Sequence, residues 1–177
     1  MLAWVAAAFA IGTANPKVEF KIQDRGSFTM ELFADQAPKT VAHFVEITEK
    51  GFFDGILLHR RVENFVLQSG DSKSRGWFPE DAAARPGLMS ATENLGDGGS
   101  GRTIQFEKGA GHHARGTVGM ALESPGDNSG DSQWFINLNE NTRLDGKYCV
   151  FGKIVKGMDV VDKAKRGDLV LSARIVK

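Results

Sequence analysis

The first part of the chain contains two short runs in which every second residue is apolar. These runs cover residues 18–22 and 28–32, and a glycine-containing turn at 24–26 separates them. Successive side chains of a strand point to opposite faces of a sheet, so alternation with period two is typical of a strand with one buried face. The pattern therefore predicts a β-hairpin with one face in the core and the other in solvent.

A helical pattern follows the hairpin and recurs near the carboxyl end. Apolar residues are spaced three and four positions apart from Val41 to Thr48, after Pro38 at a favourable first helical position and before Gly51. The same spacing predicts a second, shorter helix around residues 158–164. The remaining strand-like runs are 56–62, 65–69, 117–122, 133–138, 148–154 and 169–175. About eight strands and two helices predict a mainly β fold, a closed barrel with its ends capped by the two α-helices.

Composition narrows the class of protein. The chain has 177 residues, 41% of them hydrophobic and 25% charged, which is ordinary for one globular domain. Lys and Arg number 22, as do Asp and Glu, so the net charge of zero argues against a nucleic-acid partner but allows a local basic patch. Since Cys149 is the only cysteine, an intramolecular disulfide and a cysteine-cluster metal site are excluded. We treat residues 15–177 as a single domain.

An apolar segment precedes this domain. The run Leu2–Ile11 is too short to span a bilayer, which takes about 20 residues. It fits the h-region of a secretory signal peptide, and Gly12–Ala14 offers small residues for cleavage, although no basic residue precedes Lys17. Residues 1–14 therefore predict a signal peptide and a periplasmic, secreted or secretory-pathway location. The alternative is an additional surface-packed segment on a cytoplasmic protein.

The sequence contains little that indicates a metal site, a nucleophilic cysteine or a phosphate-binding loop. His43, His59 and the adjacent pair His112–His113 lack a recognised metal-ligand spacing, so no metal site is predicted. Cys149 lies in a predicted strand, where a buried, inert thiol is expected. The glycine-rich stretch 96–101 lacks the Gly-Lys-Ser/Thr ending of a phosphate-binding loop and is interpreted as a flexible surface loop.

Residues 72–95 interrupt the strand pattern and form a long, insertion-like loop. Trp77, Phe78, Leu88 and Met89 are apolar enough to pack against the barrel or to bind a partner. A stretch of this length without its own periodicity is usually functional or flexible. Both a plain surface insertion and a role in selectivity or partner binding stay open.

Two predicted strands carry an unusual set of polar and aromatic residues. Arg60 and Arg61 are neighbours and must point to opposite sides of their strand, so one of them faces inward or across a groove. An arginine is costly to bury without partners, and Gln68 and Gln133 are the obvious amide neighbours. From composition alone, this set is either a structural Arg–Gln network or a functional site.

Six motifs, in this order along the chain, carry a resemblance to a known family. They are Phe-x-Gly-x-x-x-His-Arg at 53–60, Phe65 with Gln-x-Gly-Asp at 68–71, Gly-Gly-Ser-Gly at 98–101, Gly-x-x-x-Met-Ala at 116–121, Asn128-x-Gly with Ser-Gln-x-Phe-Ile-Asn at 132–137, and Leu-Asp-Gly-Lys-Tyr-x-Val-Phe-Gly-Lys-Ile-Val-x-Gly at 144–157. From about Val18 to Lys165 the chain resembles the cyclophilin family of peptidyl-prolyl isomerases. The resemblance implies an eight-stranded antiparallel barrel closed by two helices, with the active groove on its outside.

The resemblance also implies roles for individual residues. Arg60 is expected to be catalytic, with Gln68 orienting it and Phe65 beside it. The residues implied to form the proline pocket and to flank the bound peptide are Val66, Ala121, Leu122, Gln133, Phe135, Leu144, Tyr148 and His59.

The chain departs from the usual family pattern at several positions. Val66 shortens one pocket wall, Leu122 replaces a common asparagine, and Trp134 replaces a phenylalanine that should face the core. Arg143 stands where an aromatic residue often sits, so we expect weak cyclosporin binding.

The implied activity is cis–trans isomerisation of Xaa-Pro bonds in proteins, assisting folding. The reaction breaks no bond, so it needs no acid, base, nucleophile, metal or cofactor. The expected partners are proline-containing polypeptides, with no nucleic acid, no membrane span and a monomeric protein. The alternative function is a catalytically weak proline-binding module or chaperone.

Overall fold

The computed structural model describes residues 15–76 and 95–177. The strands are β1 Lys17–Ile22, β2 Gly26–Leu32, β3 Arg60–Val62, β4 Val66–Ser69, β5 Thr117–Met120, β6 Trp134–Asn137, β7 Val150–Lys156 and β8 Val170–Val176. The α-helices are α1 Pro38–Glu49 and α2 Met158–Lys163, and short 3₁₀ turns occupy Ser72–Ser74 and Thr142–Leu144. The predicted segment 1–14 and most of the predicted loop 72–95 lie outside the described residues.

All eight strands form one antiparallel sheet in the order β3-β4-β6-β5-β7-β2-β1-β8. The prediction of a mainly β fold with eight antiparallel strands and two α-helices is confirmed for the described residues. The sheet curls strongly into a half-barrel. Within the described ranges, no helix is both long and apolar enough to cross a membrane.

The closed barrel is not confirmed. The edge strands β3 and β8 form no ladder with each other. Instead, residues 55–58 run beside residues 167–170, joined by four backbone hydrogen bonds of 2.9 Å and one isolated bridge between Leu57 and Leu169. Gly55 and Gly167 have positive φ angles of 78° and 92°, which interrupt regular strand geometry at the start of both segments. The strand predicted over 56–62 is reduced to β3, because residues 56–58 bond to residues 167–170 and not to β4.

The core is a cluster of aromatic side chains inside the curled sheet. Phe20 on β1 stacks against Phe28 on β2 with ring centroids 5.4 Å apart, and Trp134 on β6 lies 4.9 Å from Phe20. Phe44 of α1 lies 4.9 Å from Phe53, so the helix covers one end of the cluster. Each fully buried large apolar side chain contributes roughly 1.5–3 kcal/mol relative to an exposed one, so this cluster makes a large contribution to the stability of the fold.

Helix α1 begins at a carboxylate that is distant in sequence. Glu107 accepts hydrogen bonds from the backbone N–H groups of Lys39 at 3.0 Å and Thr40 at 2.7 Å, and from the Thr40 hydroxyl at 2.7 Å. The first N–H groups of a helix have no partner within the helix, and a carboxylate there also interacts favourably with the helix dipole. Glu107 thereby ties the segment before β5 to the helix.

We predict that Gly157 is a position where any side chain costs stability. Its φ angle is 78°, and a Cβ built on it would lie 2.8 Å from the Cα of Phe28. Gly157→Ala should therefore lower the free energy of unfolding by about 2–4 kcal/mol, measured by urea denaturation.

Gly126 provides the matched control for this substitution. Its φ angle is 76°, but no atom lies within 4 Å of a Cβ built there. Gly126→Ala should cost only about 1 kcal/mol, from backbone conformation alone. Equal losses in the two variants would contradict the steric explanation.

Candidate functional site

A small hollow of about 180 Å³ lies on the outer surface of the sheet. Nine of the eleven predicted site residues line it: Arg60, Phe65, Val66, Gln68, Ala121, Leu122, Phe135, Leu144 and Tyr148. They come from β3, the turn between β3 and β4, β4, β6, the residues after β5, the 3₁₀ turn Thr142–Leu144 and the residues before β7. The tertiary structure thus brings together residues that are more than 80 positions apart in the chain.

The register of four neighbouring strands builds this surface. Arg60 is paired with Gln68 across β3 and β4, Gln68 with Phe135 across β4 and β6, and Phe135 with Gly119 across β6 and β5. Residues that are directly opposite in a sheet share a face, so these four form one row. The intervening residues Leu67, Ile136 and Val118 are fully buried on the other face.

The two adjacent arginines have separate tasks. Arg60 is exposed on the rim of the hollow. Arg61 points away from it and donates to the backbone carbonyls of Val161 at 3.2 Å and Ala164 at 2.8 Å, at the end of α2. Arg61 also pairs with Glu63 at 2.7 Å. The structural arginine is therefore Arg61, because it satisfies the last carbonyls of a helix, and Arg60 is left for the hollow.

A chain of side-chain amides leads away from Arg60. Its Nη1 donates to Oε1 of Gln68 at 3.1 Å, and Nε2 of Gln68 donates to Oε1 of Gln133 at 3.0 Å. Nε2 of Gln133 then donates to the backbone carbonyl of Gly98 at 2.9 Å. A carbonyl can only accept, so it sets the orientation of Gln133, which in turn sets that of Gln68. The result is an oxygen facing the Arg60 guanidinium.

The loop that carries Gly98 is held by two carboxylates, which differs from the flexible surface loop expected from its glycines. Asp71, fully buried, accepts from the N–H of Gly96, and Asp131 accepts from the N–H of Gly101 at 3.0 Å. A Cβ on Gly98 would overlap the Asp71 carboxylate. The glycines of this loop allow its backbone to approach the carboxylates closely. The number of glycines in the sequence does not by itself reveal this role.

The same loop lines a second hollow of about 420 Å³ beside the first. Gln68, Ala121 and Leu122 line both hollows, so the two form one groove. Gln133, the tenth predicted residue, lines the second hollow rather than the first. The sequence interpretation missed this part of the groove, because the loop reaches it only through tertiary contacts.

Phe135 is the base of the first hollow, and its ring is fixed on several sides. It stacks on His113 with centroids 5.7 Å apart and an interplanar angle of 14°, and it meets Tyr148 edge-on at 5.9 Å. Gly119 leaves room for the ring, because a Cβ there would lie 2.7 Å from the Phe135 Cε2 atom. The ring therefore presents a rigid apolar wall.

His59 is the predicted site residue that lies outside the groove lining. Because neighbouring residues of an extended segment point to opposite sides, the outward position of Arg60 directs His59 inward. His59 is 4% exposed, and neither ring nitrogen has a hydrogen-bond partner among the described residues. Burial lowers the pKa of His59 to about 4, so the ring is neutral at pH 7.

Phe65 lines the hollow and its ring contacts two guanidinium groups. The Cζ atom of Arg60 is 5.7 Å from the centre of the Phe65 ring, and that of Arg143 is 4.3 Å from it. Both distances are in the range of cation–π attraction. The rim of the hollow is therefore cationic, while its walls are apolar.

Acid–base, metal and nucleophilic chemistry have no obvious groups here. Burial lowers the pKa of His113 behind Phe135, which keeps that ring neutral. Within residues 15–76 and 95–177, no group of three or more His, Cys, Asp or Glu side chains is arranged to hold a metal ion. What the groove offers is hydrogen-bond donors beside an apolar pocket.

We predict that Cys149 is unreactive in the folded protein. Its side chain is 1% exposed, and burial raises the pKa of the thiol to about 11. Roughly one thiol in a thousand is then ionised at pH 8, so alkylation by iodoacetamide should be far slower than in the urea-unfolded chain. Equal rates in the two states would contradict the burial of this thiol.

Comparison with known proteins agrees with this geometry. The sequence profile of the family described as "Cyclophilin type peptidyl-prolyl cis-trans isomerase/CLD" matches residues 17–177. The "Probable peptidyl-prolyl cis-trans isomerase" of Brucella suis is 37% identical over 168 residues, which cover 92% of this chain and 79% of that protein. The peptidyl-prolyl cis-trans isomerase of Acinetobacter baylyi is 35% identical over 155 residues, covering 85% of this chain and 72% of that protein.

A solved structure shows the same fold. The crystal structure of a Cryptosporidium parvum cyclophilin type peptidyl-prolyl cis-trans isomerase superimposes with a TM-score of 0.74 at 22% sequence identity, covering 92% of this chain and 98% of that chain. The family profile spans the whole described domain, including every residue that lines the hollow. This chain belongs to the cyclophilin-type peptidyl-prolyl cis-trans isomerase family.

Proposed function

We propose that this isomerase holds the proline ring of a substrate in the hollow and donates a hydrogen bond from Arg60 to the prolyl nitrogen as the peptide bond twists. The observation that carries the proposal is the position of Arg60, on the rim of an apolar hollow and held by Gln68 at 3.1 Å. Phe65, Phe135 and Leu144 supply the apolar walls.

The barrier to be lowered comes from amide resonance. Rotation about a peptide bond costs about 18–20 kcal/mol, because the C–N bond has partial double-bond character. In the twisted state resonance is lost, and the prolyl nitrogen becomes pyramidal and gains a lone pair. A donor aimed at that nitrogen therefore binds the twisted state better than either planar state, which is the condition for catalysis.

Arg60 suits this role because most of its donors remain available. A guanidinium carries five N–H groups in a planar fork, and Gln68 is its one hydrogen-bond partner within the described residues. The aromatic ring of Phe65 lies beside the same group, so its orientation is restricted before substrate arrives. A charged hydrogen bond contributes about 1.5–3 kcal/mol, or roughly 10–100-fold in rate.

The apolar walls add a second effect. The planar amide is charge-separated, and an environment less polar than water stabilises it less. Val66 and Phe135 are almost fully buried, so on that side the hollow presents an apolar surface that is packed from behind. A hollow of about 180 Å³ is suited to one small ring rather than to a large side chain.

A related structure supports a proline-containing ligand. The Cryptosporidium parvum protein was also crystallised in the presence of the dipeptide Ala-Pro, and that structure superimposes on this chain with a TM-score of 0.72. We propose the same ligand class here, proline-containing polypeptides. Uncatalysed Xaa-Pro exchange takes about 10–100 s, so assistance to protein folding is the proposed use. Secretory-pathway or periplasmic location, weak cyclosporin binding and a monomeric state stay predictions.

Arg60→Ala should lower kcat/KM for an Xaa-Pro peptide by about 10–100-fold, because the donor to the prolyl nitrogen is lost. Cis–trans exchange of the peptide, followed by NMR line shape, measures the rate, and a titration in the same experiment measures binding. Arg60→Lys keeps the charge without the fork and should recover only part of the loss.

Two outcomes of this experiment would change the assignment. Unchanged exchange in Arg60→Ala would remove Arg60 from the mechanism. Binding of the peptide by the wild type without any acceleration would favour the alternative function, a proline-binding module or chaperone.

Gln68→Leu should lower kcat more than it raises KM. Leucine keeps the apolar volume but removes the oxygen that accepts from Arg60 Nη1, so the guanidinium loses its orientation and not its charge. We expect a loss of roughly three- to tenfold in kcat in the NMR exchange assay, smaller than that of Arg60→Ala. An equal or larger loss would indicate that Gln68 contacts the substrate directly.

A further inference from the structure

The rim of the hollow has an unbalanced positive charge. The two guanidinium groups nearest Phe65, those of Arg60 and Arg143, are both exposed. The residues that line this hollow include no Asp or Glu, whereas Asp97, Glu123 and Asp131 line the adjoining hollow of about 420 Å³ together with Lys73. The chain as a whole has a net charge of zero, so this imbalance is local.

Unpaired arginines are the minority in this structure. Five others in the described ranges form ion pairs with a carboxylate: Arg25, Arg61, Arg102, Arg115 and Arg174. Arg60, Arg75, Arg143 and Arg166 form none within residues 15–76 and 95–177, and of these four only Arg60 and Arg143 lie beside Phe65. Arg143 also has no hydrogen-bond partner there, and its contact is the ring of Phe65 at 4.3 Å. Within the described residues its donors are therefore available to an external group.

Arg143 is well placed to reach a residue next to the bound proline. It belongs to the 3₁₀ turn Thr142–Leu144, and Leu144 forms part of the hollow itself. Consecutive Cα atoms are 3.8 Å apart, so the neighbours of a proline in this hollow must pass over its rim. A guanidinium fork matches the geometry of a carboxylate with two parallel hydrogen bonds.

We propose that Arg143 is a specificity-determining residue that favours substrates with an acidic residue directly beside the proline. The inference rests on the proposed function of the hollow. Arg60 is engaged at the prolyl nitrogen, which leaves Arg143 to bind the side chain of the neighbouring Asp or Glu. The carboxylate is bound equally in the planar and twisted states, so the preference acts on KM and not on kcat.

The experiment compares peptides that differ only beside the proline. Glu, Gln or Lys is placed before the proline in one set and after it in another, and NMR line shape measures kcat, KM and the dissociation constant. For the wild type, kcat/KM should be about three- to fivefold higher with Glu than with Gln in at least one set, and lower with Lys. Raising the salt concentration to about 0.5 M should shrink the difference, because exposed charges are screened.

Three variants assign the preference to Arg143. In Arg143→Ala the advantage of Glu over Gln should disappear, and in Arg143→Glu the Lys peptide should be preferred. Lys147→Ala is the matched control, since it removes one exposed positive charge from the same loop and Lys147 is not part of the hollow lining. It should keep the preference and the basal activity. Thermal unfolding checks that each variant is folded.

The outcomes separate this proposal from the proposed function. Equal kcat/KM for Glu and Gln peptides in the wild type would overturn the role of Arg143 while leaving the isomerase intact. Equal loss of the preference in Arg143→Ala and Lys147→Ala would also overturn it, because net charge would then be the cause. If no peptide is accelerated, the proposed function fails. The dissociation constants still test the proposed role of Arg143 in that case. Tighter binding of Glu peptides that depends on Arg143 supports this role, and equal binding of Glu and Gln peptides refutes it.

Discussion

The register of β3, β4, β6 and β5 is the constraint on which the site depends. It places Arg60, Gln68, Phe135 and Gly119 directly opposite one another on one face of the sheet. A slip of one residue in any of these strands would turn its side chain into the core, because the side-chain period is two. The aromatic cluster on the opposite face opposes such a slip, since its apolar surface would be exposed to water. The same strand pairing therefore determines both the packing of the core and the geometry of the groove.

Polar groups next to this row of residues determine which atom donates and which accepts in each hydrogen bond between Arg60, Gln68 and Gln133. The carbonyl of Gly98 is an obligate acceptor, and through Gln133 and Gln68 it leaves an oxygen facing Arg60. The loop that carries this carbonyl is held in turn by buried or partly buried carboxylates, Asp71 and Asp131. A buried carboxylate is costly unless its oxygens accept hydrogen bonds, and backbone N–H groups of the loop provide them. Loop and carboxylates thus depend on each other.

The chemistry of the groove follows from placement rather than from reactive groups. His59 and His113 have pKa values lowered by burial, and the Cys149 thiol has a raised pKa, so none of them is poised to exchange a proton or attack a substrate at pH 7. An apolar hollow beside a cation suits the proposed isomerisation, in which the peptide bond twists, no bond breaks and the prolyl nitrogen gains a lone pair. In our proposal for Arg143, the same cationic rim favours substrates with an acidic residue beside the proline.

Local pattern predicted most of the elements, although the strand predicted over 56–62 formed only over β3, while tertiary contacts decided the details of the site. The hairpin of β1 and β2 and both helices follow from side-chain periodicity, and the motif order identified the family and nine residues of the hollow. Alternation along the chain also indicates that Arg60 and His59 point to opposite sides of the sheet. The family resemblance had placed both residues beside the substrate. Three features depend on residues distant in sequence: the Glu107 cap of α1, the replacement of a closing ladder by one bridge between Leu57 and Leu169, and the Gly98 carbonyl beside Gln133. Periodicity reports which face a side chain occupies, because that depends on its own backbone. It carries no information on which distant group meets that face, because that depends on how the whole sheet curls.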